Sequence, residues 1–251
     1  MTALLSSEIL KLRTTRVPYV FAGIVMLLGA GAAAIFVISD SLEDDDAWLV
    51  LAQGANFGNI LATILGILIV TNEYRHGTIN STFLVEPERE RVLGTKLVAG
   101  VIAGAGLALL AFASAAVIAI PWVAAEGGSL PADGTIVEAL ARLVAAYVLA
   151  TGIGIGIGAI IQNQVGAIVV TFVWFFVVEA VITTVASLLA DGFDEADPVS
   201  PYLPGSTLQA VVGFEDAADR LLSAPVGALL TAVYVAVLVV LGGLSMLRRD
   251  P

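Results

Sequence analysis

Residues 151–190 read TGIGIGIGAIIQNQVGAIVVTFVWFFVVEAVITTVASLLA, and almost the whole stretch is apolar. Its charged or amide side chains are the triplet QNQ at 162–164 and Glu179. A bilayer core requires about 20 consecutive apolar residues per helix. The stretch therefore predicts parts of two membrane-spanning helices that meet at the triplet.

The composition of the whole chain indicates the same class of protein. Of its 251 residues, 59% are hydrophobic and 13% are charged, whereas soluble domains are about 45–50% apolar and about 25% charged. Because one soluble core could not bury so much apolar surface, a soluble enzyme is excluded. We predict an all-α integral membrane protein with a single transmembrane domain over residues 1–251. Its six predicted spans are 17–39, 47–72, 97–125, 136–161, 165–190 and 221–247.

The distribution of Lys and Arg predicts how these spans are oriented. Nine of the eleven basic residues lie before span one, between spans two and three, or after span six. We therefore expect a multi-pass protein of the inner or plasma membrane with both termini in the cytoplasm. Of the 22 acids, 15 fall on the other side, so the net charge of −11 belongs mostly to the outer face. In the outer loop 191–220, a short helix over 206–213 and a solvent-exposed loop are both possible.

The N-terminal segment 1–16 predicts a helix that lies in the membrane interface. Leu4, Leu5, Ile9 and Leu12 would share one face of this helix and enter the lipid, as in other amphipathic interfacial helices. Its basic side chains would then contact the headgroups of anionic membrane lipids; they are Lys11, Arg13 and Arg16.

The segment 73–96, between spans two and three, is the main cytoplasmic surface for a soluble partner. Thr78 predicts the start of a short helix, and Pro87 predicts its end. The apolar face of this helix would consist of Ile79, Phe83 and Leu84. The charged side chains available for contacts with a partner are Glu73, Arg75, Arg89 and Arg91.

Two spans carry patterns of polar or small residues. One side of span two is polar, and it consists of Gln53, Asn56, Asn59 and Thr63. These side chains either form hydrogen bonds between helices or line a transport path. Small residues recur every four positions on the opposite side of span two, and TGIGIGIG at 151–158 contains two overlapping GxxxG pairs. Both patterns favour close packing of helices.

Glu179 is the one ionisable residue inside span five. A charge within the membrane is costly, so it is usually paired or functional. Arg142 in span four is a candidate for an ion pair, either with Glu179 or with Glu138, four residues earlier. The alternative is that Glu179 contacts the substrate or carries a proton.

Motifs for catalysis or metal binding are missing from the sequence. There is no GxxxxGK[ST] motif, so we expect no Walker-type ATP hydrolysis by this chain. The chain has no cysteine and one histidine, His76, which excludes thiolate and multi-histidine metal sites. We interpret His76 as a solvated loop residue and expect no catalytic residue, no metal and no nucleic-acid partner.

The segment 73–96 resembles the first cytoplasmic loop of ABC-2 type transporter permeases. That loop commonly has a Glu-x-x-x-Gly-Thr element, a Pro-x-x-Arg element and a Lys that opens span three. The corresponding residues are Glu73, Gly77, Thr78, Pro87 and Lys96. The expected Arg is replaced by Glu90, which Arg89 and Arg91 flank. The N-terminal SSEILKLRTTR and YLPGSTLQAVVG at 202–213 are also similar to the family.

The resemblance implies the permease subunit of an ATP-driven exporter. A separate nucleotide-binding ATPase subunit would bind through the coupling helix in 73–96 and hold the ATP and Mg, so that this chain needs no cofactor. A second permease chain, identical or different, would complete the transport path for an amphiphile such as a drug, a peptide antibiotic or a lipid. Two other functions stay open: a proton-coupled secondary transporter that uses Glu179, and a membrane scaffold without transport.

Overall fold

A computed structural model describes residues 2–38, 56–125, 134–189, 199–213 and 222–248, and every regular element within these ranges is helical. The α-helices are α1 Thr2–Thr14, α2 Val17–Ile38, α3 Asn59–Arg75, α4 Ile79–Val85, α5 Arg89–Ala125, α6 Thr135–Ile161, α7 Gln164–Val173, α8 Glu179–Leu189, α9 Pro204–Val212 and α10 Ala224–Arg248. A π-helical segment, Trp174–Val178, joins α7 to α8, and a 3-10 turn, Ser200–Tyr202, precedes α9.

Five described helical stretches are long and apolar enough to cross a membrane. They are Val17–Ile35, Arg89–Ala125, Thr135–Ile161, Gln164–Leu188 and Ala224–Leu247. They correspond to predicted spans one, three, four, five and six. α3 corresponds to span two; the first part of that span, with Gln53, lies outside the described residues, and α3 itself has 17 residues. The fold is that of an all-helical, multi-pass membrane protein.

The helix of span three begins earlier than its apolar run. α5 starts at Arg89 and has 37 residues, which corresponds to about 55 Å at 1.5 Å per residue. Because a bilayer core is only about 30 Å thick, the first turns of α5 extend beyond it. Residues 89–96 are therefore a rigid continuation of span three, and any force on them acts directly on the span.

α6 is the central helix of the described bundle and packs against α3, α5 and α10. Its glycines face two different neighbours. Gly154 lies so close to α3 that an added Cβ would meet the backbone of Thr63 and Ile67. On another side, a Cβ on Gly156 would meet the backbone of α10, 3.0 Å from the Leu238 carbonyl carbon. The alternating glycines thus let two helices approach α6 at once, as the GxxxG pattern predicted.

The helices gather opposite charges at the two ends of the bundle. The basic end contains α1, α4, the start of α5 and the end of α10, with Lys11, Arg75 and Arg89. The opposite end, which we call the acidic end after Glu138 and Glu179, contains the start of α6, together with α8 and α9. At the basic end, α6 turns directly into α7: Gln162 adopts a left-handed backbone conformation with φ of 58°, and the Asn163 side chain caps α7. The QNQ triplet therefore forms the turn between two spans.

The glycine packing can be tested with Gly154→Ala and Gly106→Ala. An added methyl group at Gly154 would meet backbone of α3, whereas nothing lies within 4 Å of the Cβ position at Gly106. We expect Gly154→Ala to destabilise the chain by about 1–3 kcal/mol, the usual cost of overpacking. Gly106→Ala should leave stability unchanged or raise it slightly. Thermal unfolding in mild detergent measures both variants, and equal effects would contradict the assigned packing.

Candidate functional site

Four charged side chains meet at the basic end and form one cluster. We define the charge cluster as Glu8 and Lys11 of α1, Glu73 of α3 and Lys96 of α5. Lys11 Nζ lies 2.7 Å from Glu8 Oε1 and also donates a hydrogen bond to Glu73. Lys96 Nζ lies 3.1 Å from Glu73 Oε2 and 3.4 Å from Glu8. The charge cluster therefore connects three helices that are distant in sequence.

Most of the charge cluster is buried, so its charged groups are costly to leave without a partner. Lys96 is fully buried, and Glu8 and Glu73 are 6% and 5% exposed. Lys96 also donates to the Ile69 carbonyl at 3.1 Å. Two carboxylates and two ammonium groups balance in charge, which offsets the cost of removing each ion from water. Separating α1, α3 and α5 would leave some of these ions buried without a partner.

The contacts shift two pKa values outside the spans. Burial alone would raise the pKa of the Glu73 carboxyl, but the charge of Lys96 and the hydrogen bond from Lys11 outweigh this effect, so its pKa lies below the ordinary value. Burial would likewise lower the pKa of Lys11, but its bonds to Glu73 and Glu8 raise it above the ordinary value. Both groups are therefore charged at neutral pH. The structure places the Lys11 ammonium between two carboxylates, while its predicted contact with lipid headgroups stays a prediction.

A cavity of about 470 Å³ lies beside the charge cluster, between α1, α2, α3 and α4. Leu12, Pro18 and Leu68 form part of its apolar wall, and Asn72 and Thr82 contribute polar groups. Among the described residues, no group of three or more His, Asp and Glu side chains could hold a metal ion.

The short helix α4 carries its apolar side chains on different sides. Ile79 is buried within the chain, and the Arg89 guanidinium lies 4.9 Å from the centre of the Phe83 ring. Leu84 and Val85 are 87% and 82% exposed. The sequence predicted that Ile79, Phe83 and Leu84 share one partner-facing side, but Ile79 packs inward. Val85, which the sequence interpretation missed, joins Leu84 as the exposed pair.

The turn before α4 differs in detail from the prediction for Thr78. Thr78 does precede the helix, but its hydroxyl makes no capping bond to the N–H groups of α4. It points back toward the Glu73 carbonyl, 3.5 Å away. Gly77 has φ of 67°, a conformation that suits glycine because it has no Cβ. After Val85, residues 86–88, which include Pro87, separate α4 from α5.

The predicted partner-binding arginines have partners within the chain. Arg75 donates to the Gln164 side chain at 3.0 Å, which joins α3 to the start of α7. Arg91 pairs with Glu88 at 2.8 Å. Arg89 donates to the Met246 carbonyl near the end of α10. The bonds of Arg75 and Arg89 attach the two sides of the α4 loop to the start of α7 and the end of α10. His76 is exposed, as expected for a solvated loop residue.

The polar side of span two is largely turned into the protein. Thr63 is buried, and its hydroxyl donates to the Asn59 carbonyl at 3.1 Å. Asn59 is also buried and donates to Asn56, while its Oδ1 has no hydrogen-bond partner among the described residues. A role of these residues in lining a path stays a prediction.

Glu179 does not pair with Arg142. Its carboxylate accepts hydrogen bonds from the Trp174 indole at 2.7 Å and from the Gly205 backbone N–H at 2.9 and 3.1 Å. Arg142 pairs with Glu138 instead, which was the other predicted pairing. Sequence could not identify the Gly205 donor, because a backbone N–H occurs at almost every residue and carries no signal.

These features define a helical membrane protein whose two ends are held by buried charges. A family model described as "ABC-2 family transporter protein" matches residues 4–178. The match covers more than half of the chain, so the chain belongs to the ABC-2 transporter family, as the residues of 73–96 indicated. Membership makes it a membrane transport component of the kind that associates with an ATPase subunit. A search of characterised proteins gave no significant match.

The importance of the buried ammonium can be measured with Lys96→Met. The variant leaves Glu8 and Glu73 with one cation instead of two, and breaking such a buried pair typically costs about 3–5 kcal/mol. Removing one acid as well, in Lys96→Met with Glu73→Leu, should recover part of this loss. Arg91→Met, on the same helix but half-exposed, should change stability by less than about 0.5 kcal/mol. Equal thermal shifts for Lys96→Met and Arg91→Met would contradict the cluster's role.

The pH dependence of stability provides a separate check. Because folding lowers the pKa of Glu73, its contribution is present above the unfolded pKa and is lost as pH falls through the folded pKa. The stability difference between the wild type and Glu73→Gln should therefore be constant at neutral pH and shrink below about pH 4. For Lys11, whose pKa is raised, the difference from Lys11→Met should shrink only above about pH 10. Titration of the unfolding temperature in detergent measures both differences.

Proposed function

We propose that this chain is the permease subunit of an ATP-driven exporter that moves an amphiphilic substrate. A separate ATPase subunit binds at the basic end, which faces the cytoplasm, and holds the ATP and Mg. A second permease chain completes the path. α3 with its preceding residues is span two of six, α1 lies at the membrane interface, and both termini are cytoplasmic.

The observation that carries this proposal is the placement of α4. Its exposed apolar pair, Leu84 and Val85, projects from the basic end, where a soluble subunit can bury both side chains. The opposite side of α4 is held by the buried Ile79 and by the contact between Phe83 and Arg89. A partner that displaces α4 therefore displaces the start of α5 with it.

The charge cluster extends this displacement to other helices. Lys96 of α5 is bound to Glu73 of α3, and Lys11 binds the same carboxylate from α1. Because buried ions cannot separate without a large cost, α1, α3 and α5 move together at the basic end. ATP-driven motion of α4 thus reaches spans two and three and the helix preceding span one.

The substrate class is supported by the chemistry of the spans. The described spans carry few charged or amide side chains. The candidate polar contacts for a substrate are Asn56 and Asn59. Few polar groups on mainly apolar helices suit a molecule that is itself largely apolar.

The double substitution Leu84→Ala and Val85→Ala tests the docking surface. A minority of interface residues, mostly near the centre, cost more than about 1 kcal/mol when truncated; if Leu84 and Val85 form that centre, association with the ATPase subunit weakens at least about tenfold. Asn80→Ala, a substitution of an exposed polar residue on the same helix, should bind normally. Purification in mild detergent with quantitative mass spectrometry measures the ATPase that accompanies each variant.

The same purification decides between the proposed function and its alternatives. A stoichiometric subunit with Walker motifs supports the exporter, and its ratio to the permease gives the assembly. Reproducible absence of any ATPase, with the permease folded, would contradict the proposal and favour a carrier or a scaffold. If the Leu84→Ala and Val85→Ala variant keeps the wild-type yield of ATPase, the docking surface is wrong, but the exporter proposal is unaffected.

A further inference from the structure

The second half of predicted span five, α8, has few contacts with the other described helices. Of its described side chains, Glu179 alone is buried, whereas Val181, Val185 and Leu188 are exposed. The first half, α7, packs against α3 and α6, whereas α8 contacts the 3-10 turn before α9 and, through Glu179, the start of α9. The position of α8 therefore depends on the surroundings of Glu179.

Glu179 supplies a cap that α9 lacks. The first N–H groups of a helix have no partner within the helix and attract negative charge. The N-cap residue of α9, Leu203, has no side chain that can accept a hydrogen bond. The Glu179 carboxylate takes this place by accepting the Gly205 N–H with both oxygens. We call these two bonds, with the bond from Trp174, the Glu179 contact.

The other partner in the contact, α9, belongs to the rigid part of the bundle. It packs against α10 and α6, and its side chains Thr207, Leu208 and Val211 are buried. A Cβ on Gly227 of α10 would lie 2.9 Å from the Thr207 carbonyl oxygen, so the two backbones are in close approach. Tyr234 of α10 donates to a carbonyl of the 3-10 turn at 2.6 Å. The Glu179 contact thus joins a loosely packed helix to a fixed one.

A π-helical segment separates α8 from α7. The five residues Trp174–Val178 come directly before Glu179, and such segments are often found at functional positions in helices. The segment places the Trp174 indole N–H on the carboxylate five residues later. It marks the point where the half of span five that contacts α3 and α6 ends and the half held through Glu179 begins.

We propose that Glu179 is a positioning residue that holds α8 against α9 and keeps the acidic end of the bundle closed, and that α8 moves about the π-helical segment when this contact breaks. This inference deepens the proposed function, since an opening at the acidic end is where substrate would leave. Only the role of the Glu179 contact in transport rests on the proposed function, because the contact itself is formed within this chain.

Distances between spin labels test the position of α8 directly. The chain has no cysteine, so Leu188→Cys in α8 and Leu229→Cys in α10 introduce two labels at exposed sites without background. Mixing labelled chains with an excess of unlabelled chains ensures that the measured distance is the one between two labels in the same chain. We expect a narrow distance distribution that becomes longer and broader in Glu179→Ala. The exposed pair Val169→Cys and Val240→Cys, in α7 and α10, should not change.

Two matched variants separate the contact from a general loss of structure. Thr183→Ala, at an exposed position of α8, should leave the distances as in the wild type. Gly205→Ala places a Cβ against the Glu179 carboxylate and 3.1 Å from Phe175 Cδ1. Its effect on unfolding temperature should be smaller in the Glu179→Ala background, since residues in contact give non-additive effects. Additive effects together with an unchanged distance from α8 to α10 would overturn the proposal.

Transport in vesicles with the ATPase partner provides the functional readout. We expect Glu179→Ala to retain ATP hydrolysis while substrate moved per ATP falls by roughly tenfold, the effect of losing one hydrogen-bonded charge. Glu179→Gln keeps one oxygen acceptor but cannot carry a proton, so it should restore part of the transport. Complete loss of transport in Glu179→Gln with unchanged label distances would reject the positioning role. If no ATP-dependent transport occurs in the wild type, the proposed function fails, whereas the label distances still test the contact.

Discussion

The rest of the structure depends on the close approach of α6 to its two neighbours. Lipid tails are as apolar as leucine, so helices in a membrane associate through packing rather than through the hydrophobic effect. Gly154 allows contact with α3, and Gly156 allows contact with α10. Because both contacts involve backbone atoms, neither helix can slide or rotate far relative to α6. These three helices form the fixed frame on which the two charged ends are built.

Each end uses a buried carboxylate to attach a peripheral helix to this frame. At the basic end, Glu73 on α3 holds Lys11 of α1 and Lys96 of α5. At the acidic end, Glu179 on α8 holds the N-terminus of α9, which packs on α6 and α10. A carboxylate suits this purpose because its bonds to charged groups or to a helix N-terminus are stronger than neutral ones. The attached helices, α1 and α8, have few other buried side chains.

Features that follow from periodicity could be predicted from the sequence, whereas contacts between distant residues could not. Apolar runs predicted the five described helices that are long enough to cross a membrane, and the four-residue spacing of small residues predicted which sides of spans two and four pack closely. The partner of Glu179 could not be deduced, since Arg142 was the available cation and the actual donor is a backbone N–H 26 residues away. The contact between Lys11 and Glu73 could not be predicted for a similar reason. The spacing of Lys11 to Glu8 was visible in the sequence, but the proximity of Glu73 arises only from the tertiary fold.

Buried ion contacts and glycine packing respond differently to force. Removing one partner from an ion contact leaves the other buried and unpaired, so the contact is either made or broken, with few stable positions between. Close-packed helix surfaces are hardly compressible and transmit displacement instead of absorbing it. In this chain the ion contacts lie at the two ends, and the glycine packing lies between them. Under the proposed function, a movement that begins at α4 would reach the acidic end as a displacement of the α3, α6 and α10 frame, and it would change the structure where α9 meets Glu179.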